Sequence, residues 1–221
     1  MLRRLGYTVG HDGSLRVPLW VSYRLTRKYV EGRQFAPRSR LRWRADPDLP
    51  PGDRATDRDY IRSGYSRGHM AMQSDMRGRS EECERQAYLL SNIAPQRQRL
   101  NVGAWLALEG RCKRWAKRYG EIWIICGPIF DGPEPRRLQG RRPGRVAIPD
   151  GFYKIVVRHD MGRVVVLGFI MRHGADKHTA LGAFLASVDD IESLTGLDFL
   201  ADLDNQIETS IEASKAVELW P

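Results

Sequence analysis

The chain has few cysteines, no long apolar run, and no internal repeat or low-complexity tract. Nothing in it approaches the roughly 20 consecutive apolar residues that a membrane-crossing helix needs. The N-terminus, Met1-Leu2-Arg3-Arg4-Leu5-Gly6-Tyr7-Thr8, also lacks the roughly 7 to 15 apolar residues of a secretory signal core. The three cysteines, Cys83, Cys112 and Cys126, show neither Cys-x-x-Cys spacing nor nearby histidines, which argues against zinc. An odd count rules out a complete intrachain disulfide framework. Cys112 and Cys126 lie in apolar segments and read as buried free thiols.

Of 221 residues, 42% are hydrophobic and 29% charged, ordinary proportions for a globular chain with one sizeable core. The expectation is one domain over residues 1–221. Residues 1–16 read as an irregular lead-in, because Gly6, Gly10 and Gly13 interrupt any period. Residues 204–221 read as an acidic C-terminal tail, in which Ile207, Ile211 and Val217 allow a last helix.

Positive charge is plentiful and unevenly placed. The chain carries a net charge of +9 with a pI near 9.8. From Ala186 to Pro221 there are nine acidic residues and one basic, so residues 1–185 hold 35 basic and 18 acidic groups, a net +17. Such a balance favours a polyanionic partner.

The segment from Ser63 to Glu109 concentrates groups suited to phosphodiester hydrolysis. His69 has an ordinary pKa in the range of a general base. Arg67 offers a cation for charge developing on phosphoryl oxygens. Mg²⁺ prefers oxygen ligands and needs only one or two from protein, so an amide such as Asn101 suffices. Apolar residues at Val102, Trp105, Leu106, Leu108, Cys112, Trp115, Ala116 and Tyr119 predict a helix with Asn101 as its N-cap. Glu109 then lies about 12 Å further along the axis, which assigns it to a coordinated water or to a place behind the direct ligands, with Asn101 as the direct ligand. Asn92, in a turn before Pro95, reads as a side-chain-to-backbone anchor. On the following helix Lys113 and Arg114 are candidates for contact with nucleic-acid phosphates.

Around these groups strands are expected at 18–25, 121–130, 152–157 and 163–171, the last two joined near Asp160-Met161-Gly162. Short helices are expected at 80–90 and 187–194. Residues 33–59, rich in Arg, Asp and Pro, read as a long loop, and 135–145 as a basic one. His159, His173 and His178 have no matched ligand partners and read as structural or exposed.

Several runs carry a family resemblance: Ser66-Arg67-Gly68-His69-Met70, Ser91-Asn92-Ile93-Ala94-Pro95-Gln96, and Asn101-Val102-Gly103-Ala104-Trp105-Leu106-Ala107-Leu108-Glu109. Later runs at 123–130, 148–154 and 187–199 agree in order. The chain resembles the DNA/RNA non-specific endonucleases of the ββα-metal (His-Me finger) superfamily, the Serratia nuclease and endonuclease G group. The resemblance implies an α+β fold with a central, mostly antiparallel sheet flanked by helices. It also implies cleavage of DNA and RNA to 5′-phosphate ends, with Mg²⁺ (or Mn²⁺) as cofactor. His69 would be the base, Asn101 the direct metal ligand, Glu109 a water-mediated one, and Arg67 a phosphate-stabilising group. Ser66 stands where many members have Asp, as in mitochondrial exo/endonuclease relatives, and leaves open how Arg67 is held. A further family arginine corresponds to Arg38 or Arg40.

Alternatives stay open at this point: a 5′ exonuclease, a non-catalytic nucleic-acid binder of the same fold, or a toxin-like nuclease with an inhibitor protein. A homodimer is a further open partner. The compartment reads as exported or periplasmic if a signal or anchor has been removed, and otherwise as cytoplasmic.

Overall fold

The computed structural model describes residues 1–37 and 41–221. Arg38 and Arg40 lie outside the described residues. Among the described residues nine strands form two sheets. The large one has seven strands in the order β1 (Leu2–Arg3), β2 (Thr8–Asp12), β3 (Val17–Thr26), β6 (Glu121–Ile129), β7 (Gly151–Asp160), β8 (Arg163–Arg172) and β9 (Leu185–Ala186). Every neighbouring pair in it is antiparallel. The small one pairs β4 (Ser66–His69) with β5 (Ile93–Gln96). Helices are α1 (Arg27–Glu31), α2 (Asp57–Tyr60), α3 (Glu81–Gln86), α4 (Gln98–Asn101), α5 (Ala104–Tyr119), α6 (Val188–Thr195) and α7 (Asn205–Glu212). This is the expected α+β arrangement.

Strand alternation explains why β7 is buried along most of its length. Phe152 and Val156 face a core that holds Trp105, Leu108, Cys112 and Trp115 of α5. Tyr153, Ile155 and Val157 face the opposite core, closed by Val188 and Ile191 of α6 and by Phe199. Both faces of the central sheet are therefore covered.

Two expectations are corrected. Residues 1–16 are not an irregular lead-in: β1 and β2 extend the large sheet, and Tyr7 and Val9 are fully buried. Gly10 is a packing residue there, since a Cβ would collide with the Trp20 indole. Asn101 is not the N-cap of the long helix but the last residue of α4. Val102 and Gly103 break the helix before α5 begins, and a Cβ at Gly103 would strike the Arg99 carbonyl. The straight rise of 12 Å from Asn101 to Glu109 therefore does not apply. The apolar pattern also overreached, because Val102 and Leu106 are exposed while Glu109 is buried on the core face.

The C-terminal segment folds back after α7. The Trp115 indole donates to the Trp220 carbonyl at 3.0 Å, and the two rings stack edge to face. Arg158 lies 4.9 Å over Trp220, fixing that return.

Candidate active site

β4 exposes its alternate residues to different surroundings. Gly68 faces Gln96 so closely that a Cβ would sit 2.7 Å from the Gln96 amide oxygen. Only glycine allows this strand pairing. Arg67 and His69, two residues apart, fall on the other face. There both meet Trp43: its ring lies 5.0 Å from His69, and the Arg67 guanidinium 5.8 Å from it. Tyr88 meets His69 edge on at 5.3 Å and also touches Trp43 at 4.7 Å, so the three rings form one cluster.

Trp43 is placed by its own neighbourhood. The Arg44 backbone bridges to Leu89, donating to the Tyr88 carbonyl at 3.1 Å and accepting from Leu90 at 2.8 Å. Three residues on, the fully buried Asp46 accepts from the Arg4 guanidinium at 2.6 Å and from the Ser91 hydroxyl. The loop that carries Trp43 is thus anchored to Arg4, just after β1, and to the turn before β5.

His69 is half-buried, and its Nε2 is enclosed with no hydrogen-bond partner among the described residues. Burial pushes its pKa down to about 4, so the ring is neutral at physiological pH. A neutral imidazole is the form that accepts a proton.

Arg67 is held by a residue the sequence did not suggest. Its guanidinium pairs with the Asp57 carboxylate at 2.6 Å and donates to the Asp57 carbonyl at 3.0 Å. Its plane also lies 5.3 Å from the Tyr60 ring. Ser66, in contrast, donates its hydroxyl to Gln98 and does not restrain Arg67. A carboxylate from α2 therefore does for Arg67 what a residue at position 66 does not.

Asn92 is fully buried. Its amide donates to the Ala71 and Ala87 carbonyls at 2.8 and 2.9 Å and accepts from the Ala71 amide at 2.8 Å. β5 then leads through Arg97 into α4, which packs against β4 and against α5. Asn101 ends α4, half-buried, and its side chain bonds no other described residue.

Glu109 is 4% exposed, and burial raises its pKa to about 7; Lys154 and Lys113 act against that rise, and Asp75 adds to it. Lys154 of β7 is fully buried with its ammonium 4.3 Å from the Trp105 ring centroid. Burial opposes its charge, yet the surrounding Cys126, Cys112, Glu109 and Asp75 raise its pKa on balance. Lys113 is committed to protein: it pairs with the buried Asp75 at 3.5 Å and donates to Ser74. Arg114 is exposed on α5 without an ion-pair partner among the described residues.

Residue-by-residue reading missed Trp43, Asp57, Asp75 and Lys154. Lys154 had a signal, a lone lysine within the apolar run Phe152-Tyr153-Lys154-Ile155-Val156-Val157. Asp57 had none, since only the fold brings it to Arg67.

The chain that builds this two-stranded sheet, with Arg67 and His69 on one strand and α4 packed against it, matches a known family. A model of the DNA/RNA non-specific endonucleases matches residues 1–206. The chain belongs to this family. Mitochondrial nuclease EXOG of Xenopus laevis is 29% identical over 212 residues, covering 90% of this chain and 58% of that protein. Nuclease C1 of Cunninghamella echinulata var. echinulata is 31% identical over 215 residues, covering 92% and 83%. A chain in the crystal structure of the EndoG/EndoGI complex has a TM-score of 0.83 and 28% identity, covering 98% of this chain and 91% of that one. The chain spans little more than half the length of the EXOG relative.

Proposed function

We propose that this chain is a divalent-metal-dependent nuclease that hydrolyses phosphodiester bonds of DNA and RNA with little sequence preference, leaving 5′-phosphate ends. The observation that carries this reading is the shared face of β4, where a neutral, enclosed His69 and an Asp57-braced Arg67 lie against one indole. Membership of the family supports it.

His69 takes the proton from the attacking water, a role for which burial keeps it unprotonated. Arg67 meets the negative charge that gathers on the phosphoryl oxygens. The donor set fits Mg²⁺ (or Mn²⁺): the Asn101 amide has no bond to another described residue, and hard divalent ions take oxygen. Asn101 would hold the ion directly and Glu109 through a water. When bound, the ion supplies Lewis-acid stabilisation of charge on the phosphate. Arg114, and Lys113 more weakly because of its bond to Asp75, lie on the helix that flanks this surface.

A second reading, a 5′ exonuclease, is favoured by the similarity to nuclease EXOG. An inhibitor protein, as in the EndoG/EndoGI complex, is a proposed partner, as is a second copy of the chain. Among the described residues no helix is long and apolar enough to cross a membrane.

The deciding experiment incubates supercoiled plasmid and total RNA with the protein, with and without a chelator. Digestion of both, abolished by chelation, is expected, and His69→Ala should stop cleavage while nucleic-acid binding persists. Turnover retained by that variant overturns the role of His69. Digestion of the same plasmid only after it has been linearised selects the exonuclease, which needs an end. Salt-sensitive binding without any cutting identifies a non-catalytic binder.

A further inference from the structure

On the side of the sheet that carries α6, away from β4, two triads of carboxylates meet at Glu212. One ligand oxygen each from Asp189, Glu192 and Glu212 lie within 4.8 Å of one another, and so do those of Asp198, Glu208 and Glu212. The two triads share Glu212, the last residue of α7. Asp189 and Glu192 come from α6, and Asp198 from the loop that follows it.

An acidic cluster alone means little, because exposed carboxylates repel one another only weakly through water. Glu212 is different. It is 7% exposed, and its Oε1 has no hydrogen-bond partner among the described residues. A buried carboxylate without a donor is costly unless something compensates it. None of the five forms an ion pair with another described residue. The sequence offers little help nearby, since Lys215 is the only basic residue between Ala186 and Pro221. Burial, followed by the charges of Glu192, Glu208, Asp189 and Asp198, pushes the Glu212 carboxyl up to about 7. The four groups thus bear on Glu212, the residue that both triads share.

We propose that this cluster is a second, non-catalytic divalent-cation site, selective for Ca²⁺, that clamps α7 to α6 through Glu212. The spacing suits the ion. Calcium–oxygen bonds of about 2.4 Å place two ligands at most about 4.8 Å apart. Calcium accepts six to eight oxygens in flexible geometry, which fits carboxylates drawn from two helices and a loop better than the strict octahedron of Mg²⁺ does. The supporting elements are fixed: Ser187 and Asp190 cap α6 reciprocally, Gly196 ends it in the left-handed region, and Glu192 accepts from the Phe199 amide at 2.7 Å. Asp190, busy with that cap, is outside the cluster. The site acts on stability and leaves the reaction chemistry to β4, α4 and α5.

The test is thermal unfolding of the whole chain in chelator and then in CaCl₂. Calcium is expected to raise Tm by several degrees in the native sequence, and equally in Asn101→Ala, which removes the proposed catalytic ligand. Glu212→Gln, nearly isosteric, should melt at the same temperature as the native chain or higher in chelator, because one repelling charge is gone. Its calcium affinity should fall at least about ten-fold, with plasmid cleavage in Mg²⁺ unchanged. Should Glu212→Gln fold poorly, the more exposed pair Asp198→Asn and Glu208→Gln serves the same comparison. A native Tm that does not respond to calcium overturns the proposal, and so does an equal response in Glu212→Gln.

Discussion

The imidazole of His69 lies 5.0 Å from the indole of Trp43, tilted by 43°, and this contact is part of the burial that keeps the proposed base neutral. With Tyr88, which packs against both rings, Trp43 displaces water from an imidazole whose pKa burial lowers to about 4. Burial disfavours the charged ring, so the neutral form persists well into acid. Trp43→Ala admits water and lets the pKa rise toward the ordinary 6.5. At pH 5 the neutral fraction then falls, and kcat/KM should drop by up to roughly 30-fold, with little change at pH 8. A pH profile of kcat/KM, which reports the free enzyme, checks this. An acid limb unmoved by the substitution would show that Trp43 does not control the ring.

Asp57 predicts a separation of activity from stability. Its carboxylate is 43% exposed and the Arg67 side chain 20% exposed, so water screens much of their attraction. Losing the pair should cost no more than about 1 kcal/mol of folding stability. Positioning is a different matter, because a guanidinium freed from its brace spends less time aimed at phosphate. Asp57→Ala should slow turnover by about ten-fold while melting near the native temperature. A turnover rate equal to the native one would show that Tyr60 and Trp43 suffice to hold Arg67.

What the sequence made legible was local chemistry. The turn at Met161-Gly162 has φ of 47° and 81°, the left-handed geometry that a tight hairpin of β7 and β8 requires. The limits of α6 follow from Ser187, Asp190 and Gly196, each acting within four residues of its partner. Arg67 and His69 stood out because the strand itself sets their common face. Non-local relations were invisible. β2 looked irregular because its glycines read as breaks, whereas Gly10 makes room for Trp20 on the neighbouring strand. The helix break at Val102-Gly103 was hidden by an apolar pattern that runs across it. Trp43 reaches His69, and Asp57 reaches Arg67, only through the anchoring of a loop at Asp46 and the placing of α2.

Asn101 should be nearly silent in stability and decisive in metal affinity. Its side chain ends α4 without a bond to another described residue, so Asn101→Ala is expected to shift folding by no more than about 0.5 kcal/mol. If its amide oxygen is the direct ligand, the concentration of Mg²⁺ giving half-maximal cleavage should rise by about 10- to 100-fold. Titrating the metal at fixed substrate, beside a chelated melt, measures both. An unchanged requirement for Mg²⁺ would move the ligand to another residue.

Lys154 is the buried cation against which Glu109 and Asp75 are balanced, and removing it should expose the cost of both carboxylates. Glu109 already has a pKa raised to about 7 in the fold, with Lys154 acting to lower it. Lys154→Met keeps the volume and the Trp105 contact but deletes the charge, so the Glu109 pKa should climb further. The folded state then holds a proton that the unfolded chain, with a carboxyl near 4.5, has released. Stability therefore falls as pH rises from about 4.5 through the folded pKa, and levels off above it. In chelated protein the variant should be destabilised by about 3–5 kcal/mol at pH 9, the usual cost of leaving a buried charge uncompensated. At pH 5, where both carboxyls are closer to neutral, the loss should be clearly smaller. Urea unfolding at the two pH values gives the comparison, and an equal loss at both would mean that Lys154 acts through packing on Trp105 instead of through charge.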